Sequence, residues 1–523
     1  MAAMGRYKND QWNLDDSFGL GGTGDILAHM ALDTDPPFTL GITGKWGSGK
    51  TSVMRTAFAT LKGNSLQQGL AFEKTISERE TAHWKALAFD NTQRKRKLDW
   101  DDDLKSTAGE CLSIWFSPWQ HQNEQNPLIP LLLEIRTQFS TWIKLKEKAN
   151  KLNRRGGLAG LKLIELVLDA AATLFIGRNV NVARGASDSV HKTWNEAAPN
   201  LTELSDGQRF HLLFQDAVEN ILTTIAGKDN PSELETGARL IIFIDDLDRC
   251  EESVAVTLLE SIKLYLGSRR CVFVLGLDDT ALLGTLSRHW QDRSEDDNRD
   301  YLDKLFQATL AIPQPNQTSV KTEIAKQLAL HDISDGTAVQ CTNDITNLLE
   351  PNPRKLKNFT NSLCAAWELG LGHGWQGSNT LLLRKLILFQ YLRLSHRPVW
   401  RLLERQPQTL KLLHRTITGA SETEPLEMEG LKLQDQRLAQ EMFSRAFAHV
   451  LQDTVESTLR GTPSSLESRH RNMELEQAVN LFIDRLDRKR SDETFKALFE
   501  TVFTKDDILD SHFLSLPDPE SAS

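Results

Sequence analysis

Short runs of consecutive apolar residues alternate along the chain with longer stretches in which apolar residues recur at helical spacing. Runs that are apolar throughout are typical of parallel strands covered on both faces, and helices between such strands are typical of an α/β sheet. The sequence therefore predicts a parallel α/β sheet. Its strands are predicted at Phe38–Thr43, Cys111–Trp119, Leu240–Ile244, Cys271–Leu277 and Thr309–Pro313.

Elsewhere in the chain, apolar residues at helical spacing predict α-helices. In the sheet region we expect helices over Asp25–Leu32, Ser52–Leu61, Pro127–Leu152, Ser205–Ala226 and Ser253–Leu266. A further helix opens at Asn352-Pro353-Arg354, and helical patterns without strand alternation occupy Thr380–Ile417, Leu431–Leu459 and Met473–Val502. The predicted divisions are a lead-in (1–37), a sheet domain (38–370, with a helical insertion at about 121–237), a linker (371–379), an all-helical domain (380–514) and a flexible tail (515–523).

Composition narrows the class of protein. The chain has 523 residues, a formal net charge of -10 and five cysteines without a C-x-x-C pair. A disulfide framework and a zinc site are therefore not expected, and the opening residues lack the apolar core of a secretory signal, so we expect a cytoplasmic protein. The acidic balance argues against indiscriminate DNA binding, although it leaves room for a local basic patch.

The stretch Leu158–Ile176 is the apolar segment that most resembles a membrane span. Glu165 and Asp169 lie near its centre, and Lys162 lies closer to its start. On the insertion scale two central carboxylates cost about +5 to +7 kcal/mol, which cancels or exceeds the apolar gain. We expect a largely buried helix and no membrane partner, with membrane contact as the alternative.

The segment Leu40–Ser52 carries the first chemical signal. It reads LGITGKWGSGKTS, which is G-x-x-x-x-G-K-T between a strand and a helix. Glycines let main-chain N–H groups turn inward, and the following helix presents its positive end, so the loop predicts a phosphate cradle. Lys50 is expected to be exposed until it reaches the β- and γ-phosphates of ATP, and Thr51 to hold Mg²⁺. The predicted nucleotide contacts are Gly44, Trp46, Gly47, Ser48, Gly49, Lys50, Thr51 and Ser52.

The second signal is the string IIFIDDLDRC, in which a buried strand ends in two adjacent carboxylates. Asp245 is predicted to hold Mg²⁺, because a hard cation prefers carboxylate oxygen. Asp246 is predicted to orient or polarise the attacking water as the catalytic residue. Asp278, at the end of the next strand, is either a polar sensor of the γ-phosphate or the N-cap of a helix.

Together these strings resemble the KAP family of P-loop NTPases. The resemblance covers roughly residues 14–370 and rests on GKWGSGKTS, WFSPWQHQ followed by NPLIPLLLEI, IIFIDDLDRC, VFVLGLD, YLDKLFQ before AIP, and NPRKLKNF. It implies a P-loop NTPase fold with a sheet of the additional-strand type, in which a further strand lies between the phosphate-loop strand and the IIFIDD strand. It also implies a signalling or switch ATPase, often tied in bacteria to exclusion of phage or other mobile elements.

The resemblance places two arginines near this chemistry. Arg354 occupies a sensor-like position, where a guanidinium reports loss of the γ-phosphate. Arg249 is a candidate arginine finger across a subunit interface. Structural ion pairs are the alternative for both arginines.

Three further features stay open. Trp119 and His121 follow the second strand on the ligand side, although tryptophan core packing is the alternative. Arg94–Lys97 precede a run of aspartates and indicate a solvated loop or a nucleic-acid contact. Basic residues at helical spacing in the last third suggest a basic face or an ordinary solvated surface: Arg397, Arg401, Arg405, Lys411 and Arg415.

The sequence thus predicts an ATPase that acts as a switch, in a homo-oligomer and with effector proteins of a multi-gene system as partners. Two classes compete with it. One is a scaffold that holds ATP without hydrolysis, and the other is a nucleic-acid-stimulated ATPase that regulates a nuclease.

Overall fold

The structure is a computed structural model that describes residues 7–8, 17–70, 110–124, 126–148, 154–176, 205–264, 267–333, 335–372, 375, 379–418, 432–447 and 488–503. The basic run at residues 94–97, the predicted tail and the first half of the last predicted helical stretch lie outside these residues. Contacts divide the chain into two compact units. We call Trp12–Pro313 the sheet unit, and Met1–Gln11 with Gln314–Ser523 the helical unit.

The sheet unit is built on five strands that all pair in parallel. They are β1 (Phe38–Thr43), β2 (Leu112–Phe116), β3 (Leu240–Ile244), β4 (Cys271–Leu277) and β5 (Ala308–Ala311). The order across the sheet is β2-β3-β4-β1-β5. Since β4 lies between β1 and β3, the predicted additional-strand arrangement is confirmed.

Both faces of the sheet are buried, which explains why the strands are apolar throughout. On β3, Leu240, Ile242 and Ile244 belong to one core cluster, whereas Ile241 and Phe243 belong to the other. Successive side chains of a strand point to opposite faces, so each core takes alternate residues. β2 is shorter than predicted and ends at Phe116, because Pro118 opens a 3₁₀ turn that runs to His121.

Eight helices of the sheet unit have defined bounds. They are α1 (Gly21–Leu32), α2 (Lys50–Leu70), α3 (Leu128–Lys148), α4 (Arg154–Ile176), α5 (Asp206–Ala226), α6 (Glu252–Leu264), α7 (Asp279–His289) and α8 (Glu295–Leu305). The lead-in contributes α1, which packs closely on α2: a Cβ on Gly24 would lie 2.5 Å from Cγ2 of Thr56. The end of the predicted lead-in is therefore part of the core beneath the phosphate loop.

Helix α4 contains the apolar stretch that raised the membrane alternative. Ile164, Val167 and Leu168 are buried in the core of the sheet unit. Glu165 accepts a hydrogen bond from Arg136 of α3, with 2.6 Å between Oε1 and Nη2. Across the described part of the chain, no helix combines the length and the apolar character that a membrane span requires.

The helices of the helical unit begin after the sheet ends. They are α9 (Gln317–Ala329), α10 (Asp335–Leu348), α11 (Pro353–Gly372), α12 (Thr380–Ser395), α13 (Arg397–Arg405), α14 (Leu410–Thr418) and α15 (Leu433–Ala446), and residues 488–502 are also helical. The compact units divide after Pro313, whereas the sequence suggested a linker at 371–379. The domain bounds from the sequence remain a prediction.

Candidate functional site

The phosphate-loop motif lies between the end of β1 and the start of α2. Gly47 and Gly49 have φ angles of 81° and 106°, which L side chains rarely adopt. A Cβ on Gly49 would lie 2.8 Å from Cδ1 of Leu20, and one on Gly44 would lie 2.8 Å from Oγ of Ser48. The glycines are therefore required by both backbone conformation and space.

Lys50 corrects one expectation. Its side chain is buried rather than exposed, at 8% relative accessibility. Its Nζ donates to the carbonyl oxygen of Gly44 at 2.7 Å and lies 3.4 Å from that of Lys45. Lys50 is buried because carbonyl oxygens of the loop accept hydrogen bonds from its ammonium group, whereas the sequence suggested that this group would be surrounded by solvent.

The loop fits a phosphate group. The Oγ of Ser48 is buried and has no hydrogen-bond partner in the described structure. A buried hydroxyl without a partner is costly, and a phosphate oxygen would accept its hydrogen bond. Of the other predicted contacts, Ser52 lies in the first turn of α2, while Trp46 in the loop is 64% exposed.

Asp245 directly follows β3 and lies beside the phosphate loop. It is 4% exposed, and the hydroxyl of Thr51 lies close enough to favour its ionised form. Burial, followed by the charge of Asp246, raises the pKa of Asp245 to about 6, whereas the Thr51 hydroxyl opposes the shift. β4 passes close by, since a Cβ on Gly276 would lie 3.0 Å from Oδ1 of Asp245. The fold thus brings together the two residues proposed as metal ligands.

Asp246 has a left-handed backbone conformation, with φ 61° and ψ 29°. Its Oδ1 lies 2.9 Å from Nε of Arg249, one 3₁₀ turn later. The Arg249 guanidinium also lies over the ring of Trp119, 5.8 Å from its centroid. Of the two alternatives for Arg249, the structure contains the ion pair, while the finger role stays a prediction.

Arg55 is a residue that sequence reasoning missed. Its guanidinium lies 3.5 Å from the centroid of the Trp115 ring. Burial lowers the pKa of Arg55 to about 10, and the charges of Asp245 and Asp246 oppose this shift. The available signal was helical spacing: Arg55 follows Thr51 by four residues on α2, so both lie on one face.

The remaining candidates divide between the two units. Asp278 accepts a hydrogen bond from the N–H of Ala281, so it is the N-cap of α7. Trp115 is buried in the core, whereas Trp119 is 44% exposed, so the core alternative holds for the first only. Arg354 lies in the helical unit, in the first turn of α11, where its N–H bonds to Oδ1 of Asn352.

The raised pKa of Asp245 predicts a cost in stability. The folded protein keeps this proton up to about pH 6, while the unfolded chain loses it near pH 4, so the stabilising contribution present below pH 4 is lost as pH rises through 6. Asp245→Asn should therefore stabilise the nucleotide-free protein by about 3 kcal/mol near neutral pH, with the gain shrinking towards pH 4. Denaturant unfolding at both pH values measures the difference.

The control for that experiment is Asp292→Asn, which removes an exposed carboxylate between α7 and α8. Its effect on the free energy of unfolding should be small at both pH values. A gain for Asp245→Asn that does not change with pH, or a loss at neutral pH, would contradict the account of this carboxylate.

The sheet is parallel and has this strand order, a glycine-rich loop follows β1, and a buried carboxylate follows β3. Together these features define a P-loop NTPase, a class of protein that binds nucleotide. Residues 24–368 match the family model described as the KAP family P-loop domain. The chain belongs to the KAP family.

Two solved structures are also similar. Both are of the ORC2 protein of Aeropyrum pernix, one as ADPNP-ADP complexes and one in the ADP form. Identities are 11% and 12%, with 92% of this chain and 94% of the other covered, and the TM-scores are 0.32 and 0.34. At these TM-scores the likeness supports no conclusion about function. A search of curated proteins finds no match.

Proposed function

We propose that this protein binds and hydrolyses Mg²⁺-ATP and uses the cycle as a switch. The observation that carries the proposal is the placement of Thr51, at the start of α2, close enough to Asp245, at the end of β3, for its hydroxyl to stabilise the ionised carboxylate. A hydroxyl and a carboxylate placed side by side suit a small hard cation that keeps part of its water shell.

Each residue then has a distinct role. Thr51 and Asp245 would hold Mg²⁺, which supplies charge neutralisation at the phosphates when bound. Lys50 would leave the Gly44 carbonyl and donate to the β- and γ-phosphates. Asp246 would accept a hydrogen bond from the attacking water and orient it, as a general base does.

The position of Arg55 supports the proposed roles of the two carboxylates. Its cation, stacked on Trp115, is close enough to both carboxylates to attract them electrostatically. It would favour ionised Asp245 and so keep the metal ligand ready at neutral pH. We assign Arg55 as a positioning residue.

Phosphate release by the purified chain tests the proposal. With Mg²⁺ and ATP we expect steady release that EDTA stops, and parallel reactions with GTP establish the preferred base. Release at background, combined with tight ATP binding, would favour the competing class, a scaffold that holds ATP without turnover.

We further propose that the switch acts through assembly. Trp46 in the loop and Trp119 beside Arg249 are both exposed. Exposed tryptophans are enriched at the centres of protein interfaces. A second copy of the chain, or an effector protein, would cover them and draw Arg249 away from Asp246 to act as a finger; Arg354 would sense the γ-phosphate.

The biological setting we propose is a bacterial anti-phage defence or exclusion system. Its support is the family resemblance, in which bacterial members serve such roles. The genes encoded beside this one test it, because a nuclease or another effector is expected there. Neighbours with housekeeping functions alone would count against it.

We also propose a cytoplasmic location without membrane attachment. The charged residues of α4 and its burial against α3 and α5 support this. After high-speed centrifugation without detergent, the protein is expected in the supernatant. Recovery of the protein in a membrane pellet from which high salt does not release it would contradict this proposal.

A further inference from the structure

Helix α13 carries an unusual row of charges. Arg397, Arg401 and Arg405 recur every four residues, so they share one face, which we call the arginine ridge. All three are exposed, whereas Val399 and Leu403 on the opposite face are buried. None of the three arginines forms an ion pair with another residue of the described structure. Like charges at this spacing repel, so the fold itself gains nothing from the row.

A basic residue from much later in the sequence contacts the start of α13. Nη2 of Arg488 donates to the carbonyl oxygen of Ser395 at 3.1 Å and lies 3.3 Å from Nδ1 of His396, at the start of α13. Arg488 is itself exposed, so a cation from the 488–502 helix lies at the start of α13, where the ridge begins.

A buried polar cluster fixes that helix in position. Oδ1 of Asp492 accepts a hydrogen bond from the Tyr391 hydroxyl at 2.7 Å and lies 2.7 Å from Nε2 of His396. All three side chains are buried. Because a buried network requires each partner in place, it holds Arg488 at the junction of α12 and α13.

The charge is segregated in the sequence as well. Thr380–Thr418 contains eight Lys or Arg residues and a single acidic residue, Glu404, in a chain with a net charge of -10. Arg384 pairs with Asp344 and Lys385 is buried, which leaves six of these cations for the surface. A basic surface confined to one part of an acidic protein is typical of polyanion recognition.

We propose that the arginine ridge, together with Arg488, binds the phosphate backbone of a nucleic acid. Successive arginines of the ridge advance about 6 Å along the helix, and a planar guanidinium donates paired hydrogen bonds to phosphate oxygens. Backbone contacts position a nucleic acid without reading its bases, so binding is expected without sequence preference.

The geometry favours a nucleic acid over an anionic membrane. A helix that lies on a membrane inserts its apolar face among the acyl chains. In α13 the apolar face packs inside the protein. Val399 and Leu403 are buried, and Trp400 packs against Phe389 with ring centroids 6.0 Å apart. The face left to a partner is the charged one.

The test measures binding of the full chain, without nucleotide, to a labelled duplex DNA of about 20 base pairs at several salt concentrations. The affinity of the unmodified protein should fall steeply with salt. Combining Arg397→Gln, Arg401→Gln and Arg405→Gln should weaken binding by at least about tenfold at low salt and reduce the slope of log K against log salt by about 3. A duplex RNA arm distinguishes the two sources of phosphate backbone.

Glu404→Gln is the matched control, because it removes the one carboxylate of α13 and should tighten binding. It changes charge in the opposite sense, so it keeps the test valid even if the triple variant fails to fold. Equal salt slopes for the triple variant and the unmodified protein, or no binding at low salt, would overturn the proposal. So would binding to vesicles of anionic lipid with none to either duplex.

Discussion

Lys50→Ala is expected to abolish ATP binding. In the proposed site the Lys50 ammonium would leave the Gly44 carbonyl and donate to the β- and γ-phosphates. Charge-assisted hydrogen bonds to phosphate are among the strongest that a protein makes. We expect affinity to fall by about 100-fold or more. Titration calorimetry or a fluorescent ATP analogue measures the loss.

The fold of this variant has to be checked, because Lys50 is buried and bonded to Gly44. The thermal unfolding midpoint of the variant should stay close to that of the unmodified protein. Lys326→Ala, which removes an exposed lysine from α9 in the helical unit, is the matched control and should bind ATP normally. A folded Lys50→Ala protein with unchanged affinity would contradict the assignment of the loop.

Asp246→Asn is expected to bind Mg²⁺-ATP and to hydrolyse it slowly. Asparagine tolerates the left-handed backbone of this position better than most residues, so the substitution removes the charge and keeps the geometry. Loss of a general base slows turnover by about 100-fold or more. Steady-state phosphate release, with ATP affinity measured in parallel, separates turnover from binding.

The control is Glu251→Gln, which removes an exposed charge five residues along the same segment. Its turnover should stay within a few-fold of the unmodified rate. If both variants hydrolyse ATP at the unmodified rate, Asp246 does not perform the proposed step.

The bounds of the strands and the polar residues at their ends could be predicted from the sequence, because both depend on local patterns of residues. β1, β3 and β4 have the predicted bounds, since a strand buried on both faces is apolar from end to end. The closeness of Thr51 and Asp245 followed from the fold, because parallel strands present their carboxyl ends at one edge.

Other features depend on tertiary contacts that a pattern does not contain. α2 continues to Leu70, nine residues past its predicted end at Leu61, since helix propensity is a weak signal. The stacking of Arg55 on Trp115 joins residues of two elements. The ion pair of Arg249 with Asp246 and the hydrogen bond from Lys50 to Gly44 arise from loop geometry.

We propose that hydrolysis at this site resets an assembly switch, and the mass of the protein in solution tests this most directly. Unmodified and Asp246→Asn proteins are incubated with Mg²⁺-ATP, and the mass in solution and the bound nucleotide are determined from the same peak by light scattering and chromatography. We predict that Asp246→Asn retains ATP in a larger assembly, while the unmodified protein returns to a smaller species holding ADP. Equal masses and equal conversion of ATP to ADP in the two proteins would contradict the claim.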